Sequence, residues 1–158
     1  MTLRVRRVVT GHNQTGKAVV LMDEESRNVE SRRLKHSSCV IWSTGTFPTD
    51  NSTWEDGAAR QLNSTDPNGT VFRIVRYEPG VAPRNHRTNS IDYAVVLEGE
   101  IDLEIDGTIV KLKTGDVVVQ RGTLHNWTNN GTVPCIIAFV LVAAHPVERG
   151  GQILHAMG

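Results

Sequence analysis

The chain has 158 residues, and its 17 lysines and arginines are matched by 17 aspartates and glutamates. No net field therefore draws it to nucleic acid or to an anionic membrane. The length suits one domain with a real core, read over residues 1–158, and no run of about 18 apolar residues marks a membrane span. The opening Met-Thr-Leu-Arg-Val-Arg-Arg lacks the hydrophobic stretch of a secretion signal. A cytoplasmic protein is expected, with a small molecule or a second copy of itself as partner.

In chain order, Leu3 to Val9 and Lys17 to Met22 read as two strands around a glycine-containing turn, an N-terminal β arm. Asp23 to Ser38 is polar and carries Arg27, Arg32, Arg33 and Lys35 without a period, which predicts a solvated loop. Ser38 to Ser43 is a short apolar strand. The stretch from Thr49 to Thr70 is the longest polar interruption, and within it Ser52-Thr-Trp-Glu55 has the spacing of a capping box. A short helix through about Leu62 is predicted there, as an insertion or a lid.

The β signal is then continuous. Val71 to Tyr77 alternates, which puts Arg73 and Arg76 on opposite faces. Ile91 to Leu97 is almost wholly apolar, and Ile101 to Asp106 alternates cleanly. Asp106-Gly107 is a two-residue hairpin signal leading into Ile109 to Leu112. Asp116 to Gln120 and Pro134 to Ala143 complete the series. Short strands at regular spacing predict an antiparallel sandwich or barrel. Cys39 and Cys135 each lie in an apolar β-like run and read as buried free thiols.

Two segments carry the chemistry. One runs from Gly80 through His86, Thr88 and Asp92 to Gly99, and the other from Gly115-Asp116 to His125, Trp127 and Asn129. They resemble the two motifs of the cupins, small jelly-roll barrels, and the resemblance covers roughly Val71 to Ala143. Gly80, His86 and Gly99 fall in register with the first motif, while Thr88 stands where a second histidine is usual and Asp92 replaces glutamate. Gly115, Asp116, His125 and Asn129 match the second motif, in which Arg121-Gly-Thr-Leu replaces the usual proline turn. The resemblance implies an all-β cupin jelly roll with a core near residues 71–143, preceded by the arm and insertion (1–70) and followed by a tail (144–158). It further implies small-molecule metabolism, in some cases biosynthetic, while the extra N-terminal strands, able to cover an open sheet edge by exchange between two copies, suggest a homodimer.

The residues leave two readings of the site open. His86, Asp92 and His125 are a three-ligand set with open positions, suited to one divalent Fe, Mn, Ni or Zn ion. Without a metal the same groups, shifted by burial and by each other, form an acid/base pocket with a histidine as base and Asp92 as its orienting partner. Trp42 and Trp127 are candidate walls for a substrate ring, and Arg73 and Arg84 candidate partners of a substrate carboxylate or phenolate. The favoured function is a lyase or isomerase performing dehydration, decarboxylation or keto-enol chemistry on an organic acid or a phenolic or polyketide-like metabolite. The alternatives are an Fe(II)-dependent dioxygenase and a non-catalytic small-molecule-binding barrel.

Overall fold

The computed structural model describes residues 3–158, so the first two residues of the predicted arm lie outside the described residues. Thirteen strands and no helix are found among them. Strands β1 (Arg6–His12) and β2 (Ala18–Glu25) form the N-terminal hairpin. Strands β3 (Val29–Arg33), β4 (His36–Thr44), β5 (Thr70–Tyr77) and β6 (Ser90–Glu98) follow, then β7 (Glu100–Ile105), β8 (Thr108–Lys113) and β9 (Val117–Arg121). Strands β10 (Asn126–Thr128) and β11 (Cys135–Ala143) close the barrel, and β12 (Val147–Arg149) and β13 (Gln152–Leu154) make a final hairpin.

Six strands pair in the order β3-β4-β5-β11-β6-β9, and three in the order β10-β7-β8. The two sheets face each other across a core of alternate residues. Val71, Val75 and Tyr77 come from β5, Ala94 and Val96 from β6, Ile137, Phe139 and Leu141 from β11, and Ile101, Leu103, Leu112 and Trp127 from the smaller sheet. Period-2 alternation puts these side chains on one face of each strand, so burial of that face fixes the register. A smaller cluster of Leu3, Cys39 and Ile74 lies on the opposite face of the large sheet.

The turns explain several glycines. Asp106 and Gly107 both have positive φ, at 45° and 82°, the geometry that joins β7 to β8 by a two-residue hairpin, as the dipeptide predicts. Gly99 has φ of 79°, and a Cβ there would meet the Pro134 carbonyl at 2.4 Å, so only glycine fits between β6 and β7.

Two expectations are corrected. The polar stretch after Asp23 is not a free loop: β2 extends to Glu25, and β3 pairs with β4 through a turn at Lys35, whose φ is 62°. The insertion contains no helix. Its amides go instead to side-chain acceptors, with Ser52 donating to Asp50, Ala58 to Asp56 and Asn68 to Asp66. Each such turn supplies locally the bond a helix would make four residues away. The segment packs Leu62 against the barrel core and is tied back by Arg7, which meets Asp56 at 2.6 Å, and by Ser43, which donates to the Gly57 carbonyl.

Candidate functional site

His86 precedes β6 and His125 precedes β10, and their backbones pair as an antiparallel bridge with both amide bonds at 3.0 Å. Residues directly opposite in such a bridge project to the same side, and the two imidazole centroids are 4.1 Å apart. His86 is therefore not on one continuous strand with Asp92, whose strand begins at Ser90. The bridge brings the two motifs together.

Each ring uses Nδ1 on a carbonyl two residues earlier, His86 on Arg84 at 3.0 Å and His125 on Thr123 at 2.9 Å. A carbonyl only accepts, so Nδ1 carries the hydrogen in both neutral rings and Nε2 holds the lone pair. Burial pushes His86 down to about 4, and the neighbouring His125 and the Arg84 and Arg33 charges act in the same direction. Burial also lowers His125. Both imidazoles are neutral at physiological pH.

Asp92 lies on the inner face of β6, directly opposite Gln120 of β9, and is 5% exposed. Burial pushes its carboxyl up, against the hydrogen bonds from Ser90 and Gln120. Its Oδ1 is 2.5 Å from Ser90 Oγ, which stands 2.9 Å from Thr88 Oγ1. Thr88, in place of a histidine, thus extends a hydroxyl chain toward the carboxylate. The hydrogen-bond partners of Asp92 are Ser90 and Gln120, not an imidazole. Between it and His125 stands Gln120, whose Nε2 is 3.1 Å from Asp92 Oδ2 and 3.0 Å from His125 Nε2.

Cupins commonly bind a divalent metal, and these residues do not fit one. Among the described residues no three His, Cys, Asp or Glu side chains form a group that could hold an ion. The Nε2 lone pair of His125 and one oxygen of Asp92, the donors a metal needs, both face the Gln120 amide nitrogen. His86, Asp92 and His125, the expected ligand set, lie in one neighbourhood, with the Gln120 amide between Asp92 and His125.

The other expected residues divide. Arg73 points into the barrel, its partners across the ladder being Val40 and Phe139, and Arg76 faces outward to Glu78. Arg73 donates to the Ser64 carbonyl at 2.6 Å, and its Nε is buried without a partner. Trp127 is buried, edge-on to Phe139 at 5.4 Å and to His125 at 6.4 Å. Arg84 is exposed and donates to the Gly158 carbonyl at 2.7 Å. Trp42 is not at the site. It sits across from Phe72 on the outer face and packs on Trp54 of the insertion at 5.9 Å. Asp116 and Asn129 hold turns, Asp116 accepting from the Lys113 amide and Asn129 donating to the Tyr77 and Val133 carbonyls.

A cavity of about 390 Å³ opens beside the cluster, lined by Leu103, Ile105, Val118, Gln120, Thr123 and Val147 among others. Gln120 borders both the cavity and the buried carboxylate. It is the residue sequence reasoning missed, along with Ser90. The signal was present: Val117 and Val119 alternate outward, which leaves Val118 and Gln120 inward. A polar side chain on that apolar face asks for a partner. A larger groove of about 550 Å³ near Gly99, Lys113 and Val133 lies away from these groups.

Comparison with known proteins gives the same fold. The cupin domain model Cupin_2 matches residues 73–142. The chain is 34% identical over 160 residues to the cupin-domain-containing oxidoreductase fogC of Aspergillus ruber, covering 94% of this chain and 77% of that protein. It is 33% identical over 160 residues to oryzines biosynthesis cluster protein J of Aspergillus oryzae, covering 96% and 89%. Phomopsin biosynthesis cluster protein C' of Diaporthe leptostromiformis is 51% identical over 90 residues, which are 56% of this chain and 48% of that protein. The match thus spans about half the length of that relative. Among solved structures, the Cnp3 cupin domain of Schizosaccharomyces pombe aligns over 87% of each chain with a TM-score of 0.54 and 12% identity. KdgF from Halomonas sp. aligns over 78% of this chain and 89% of its own with a TM-score of 0.51 and 13% identity. These two likenesses are of fold alone. With the motif register, the jelly-roll sheets and relatives matched over most of both lengths, this chain belongs to the cupin family.

Proposed function

We propose that the protein is a small-molecule enzyme that moves a proton at the His86–His125 pair, a lyase or isomerase acting on an organic acid or a phenolic or polyketide-like molecule. The observation that carries this reading is the pair of neutral imidazoles, 4.1 Å apart, with both Nδ1 hydrogens committed to carbonyls. His125 Nε2 is engaged by Gln120, so His86 Nε2 is the unengaged base. It takes a proton from the carbon beside a substrate carbonyl, the C–H electron pair becomes a C=C bond while the carbonyl π pair moves onto oxygen to give the enolate, and return of the proton or loss of a leaving group completes the reaction. Arg73, with its unpartnered Nε, binds the substrate carboxylate, with Arg84 as a second cationic partner and Trp127 as an apolar wall.

A second reading, an oxidoreductase, is favoured by the names of relatives such as fogC and virC of Hypocrea virens. One experiment separates the readings. A panel of β-keto acids and phenols is incubated in D2O under argon and followed by proton NMR. Enzyme-dependent exchange at the α-carbon is expected, falling about 100-fold or more in His86→Ala while the ligand still binds. Oxygen uptake on admitting air, with no exchange under argon, supports the oxidoreductase. Binding without either reaction makes the barrel a binder.

The protein in this reading is a homodimer. The support is an exposed apolar stripe on the outer face of β6 and β9, where Tyr93 pairs with Val119 and Val95 with Val117. Sedimentation equilibrium is expected to give twice the chain mass of 17.4 kDa, and a monomer at micromolar concentration would refute it.

A further inference from the structure

We propose that Gln120 closes this cupin site to divalent metal ions, its amide standing between Asp92 and His125 and spending one hydrogen on each, so that an acidic side chain at position 120 would open the site.

The orientation of the amide follows from its partners. His125 Nδ1 faces the Thr123 carbonyl at 2.9 Å, so its hydrogen is there and Nε2 is an acceptor. Only an N–H of Gln120 can satisfy that acceptor at 3.0 Å, and only an N–H can satisfy Asp92 Oδ2 at 3.1 Å. The –NH2 group has two hydrogens and both are used. Flipping the amide would set Oε1 against a carboxylate oxygen and an imidazole lone pair. The orientation leaves Oε1 buried without a partner, a smaller penalty than two acceptors set against each other.

The same arrangement excludes a cation. An ion at this point would need the His125 lone pair and the Asp92 oxygen, and it would meet two N–H dipoles with their positive ends toward it. Thr88 also removes the nitrogen donor that the first motif usually provides. In Gln120→Glu the shape is kept and the donor becomes a carboxylate oxygen about 3 Å from both Asp92 and His125. Asp92, residue 120, His125 and the adjacent His86 then offer two carboxylates and two imidazoles, a mixed O/N set suited to Zn or Mn.

The test reads ion binding without turnover, so it stands or fails separately from the proton-transfer reading. Calorimetric titration with ZnCl2 and MnCl2 at pH 7.5 is run on the wild-type chain, Gln120→Glu and Gln120→His, with far-UV circular dichroism reporting the fold. Expected is no stoichiometric site in the wild type and one ion per chain in a folded variant, bound at least tenfold more tightly and lost on adding His125→Ala. The proposal is overturned if the wild type loads one ion per chain and loses it in His125→Ala, or if both folded variants bind no better than the wild type. Should neither variant fold, the wild type decides: Zn(II) that leaves the His125 ¹⁵N resonances unmoved supports the proposal, and Zn(II) that shifts them overturns it.

Discussion

His36 shows what single residues contribute to the pH response. It lies on the inner face of β4 opposite Tyr77, edge-on to that ring at 5.5 Å, and the charges facing it are Arg33, Arg73 and Arg84. Burial, then these guanidinium groups, push its imidazole down to about 4 from 6.5. Between those values the unfolded chain binds a proton that the folded chain refuses, so stability is lost as pH falls from about 6.5 to 4. His86 acts in the same direction, while Asp92, raised by burial, opposes them at the acid end. The thermal midpoint is expected to drop on acidification through this window, and less steeply in His36→Gln. A midpoint that is flat or rises toward pH 4.5 would contradict this account. Residues of this kind are only partly visible in a sequence. The motif spacing marks His86, Asp92 and His125, whereas His36 lies outside every motif and acquires its role from Tyr77 and three distant arginines.

At the scale of elements, legibility follows local pattern. The strands from Val71 onward are readable because one face is dry and the other wet, and the Asp106-Gly107 turn because its two positive φ angles suit few other pairs. β3 escapes that reading: Val-Glu-Ser-Arg-Arg is the outermost strand of the large sheet, largely exposed, and shows no alternation. The predicted helix fails for a different reason. Its capping box is real as spacing, but Asp50, Asp56 and Asp66 capture the nearby amides, and Leu62, Trp54 and Asp56 have tertiary partners in the core, in Trp42 and in Arg7. Tertiary contacts thus override a weak local preference. The candidate site has the same limit. That Gln120 enters it depends on Asp92 facing residue 120 across β6 and β9, a register no segment specifies by itself.

The whole molecule is built in two apolar layers. The main core fills the space between the two sheets, and the second, with Leu3, Cys39 and Ile74, lies on the outer face of the larger one. One cysteine belongs to each layer, since Cys135 sits in the main core, and both are fully buried at 0% exposure. Burial raises both thiols, Cys135 to about 12, which disfavours the thiolate, and both side chains are closed off from reagent in the folded barrel. The two sulfurs are therefore clocks. Alkylation at Cys39 times the lifting of the N-terminal segment, and alkylation at Cys135 times the parting of the sheets. Mass spectrometry of a native-state labelling series is expected to resolve two rates, Cys39 the faster and only Cys135 tracking global unfolding in urea. Equal rates for both, at the speed of a free thiol, would mean that the layers do not open in turn.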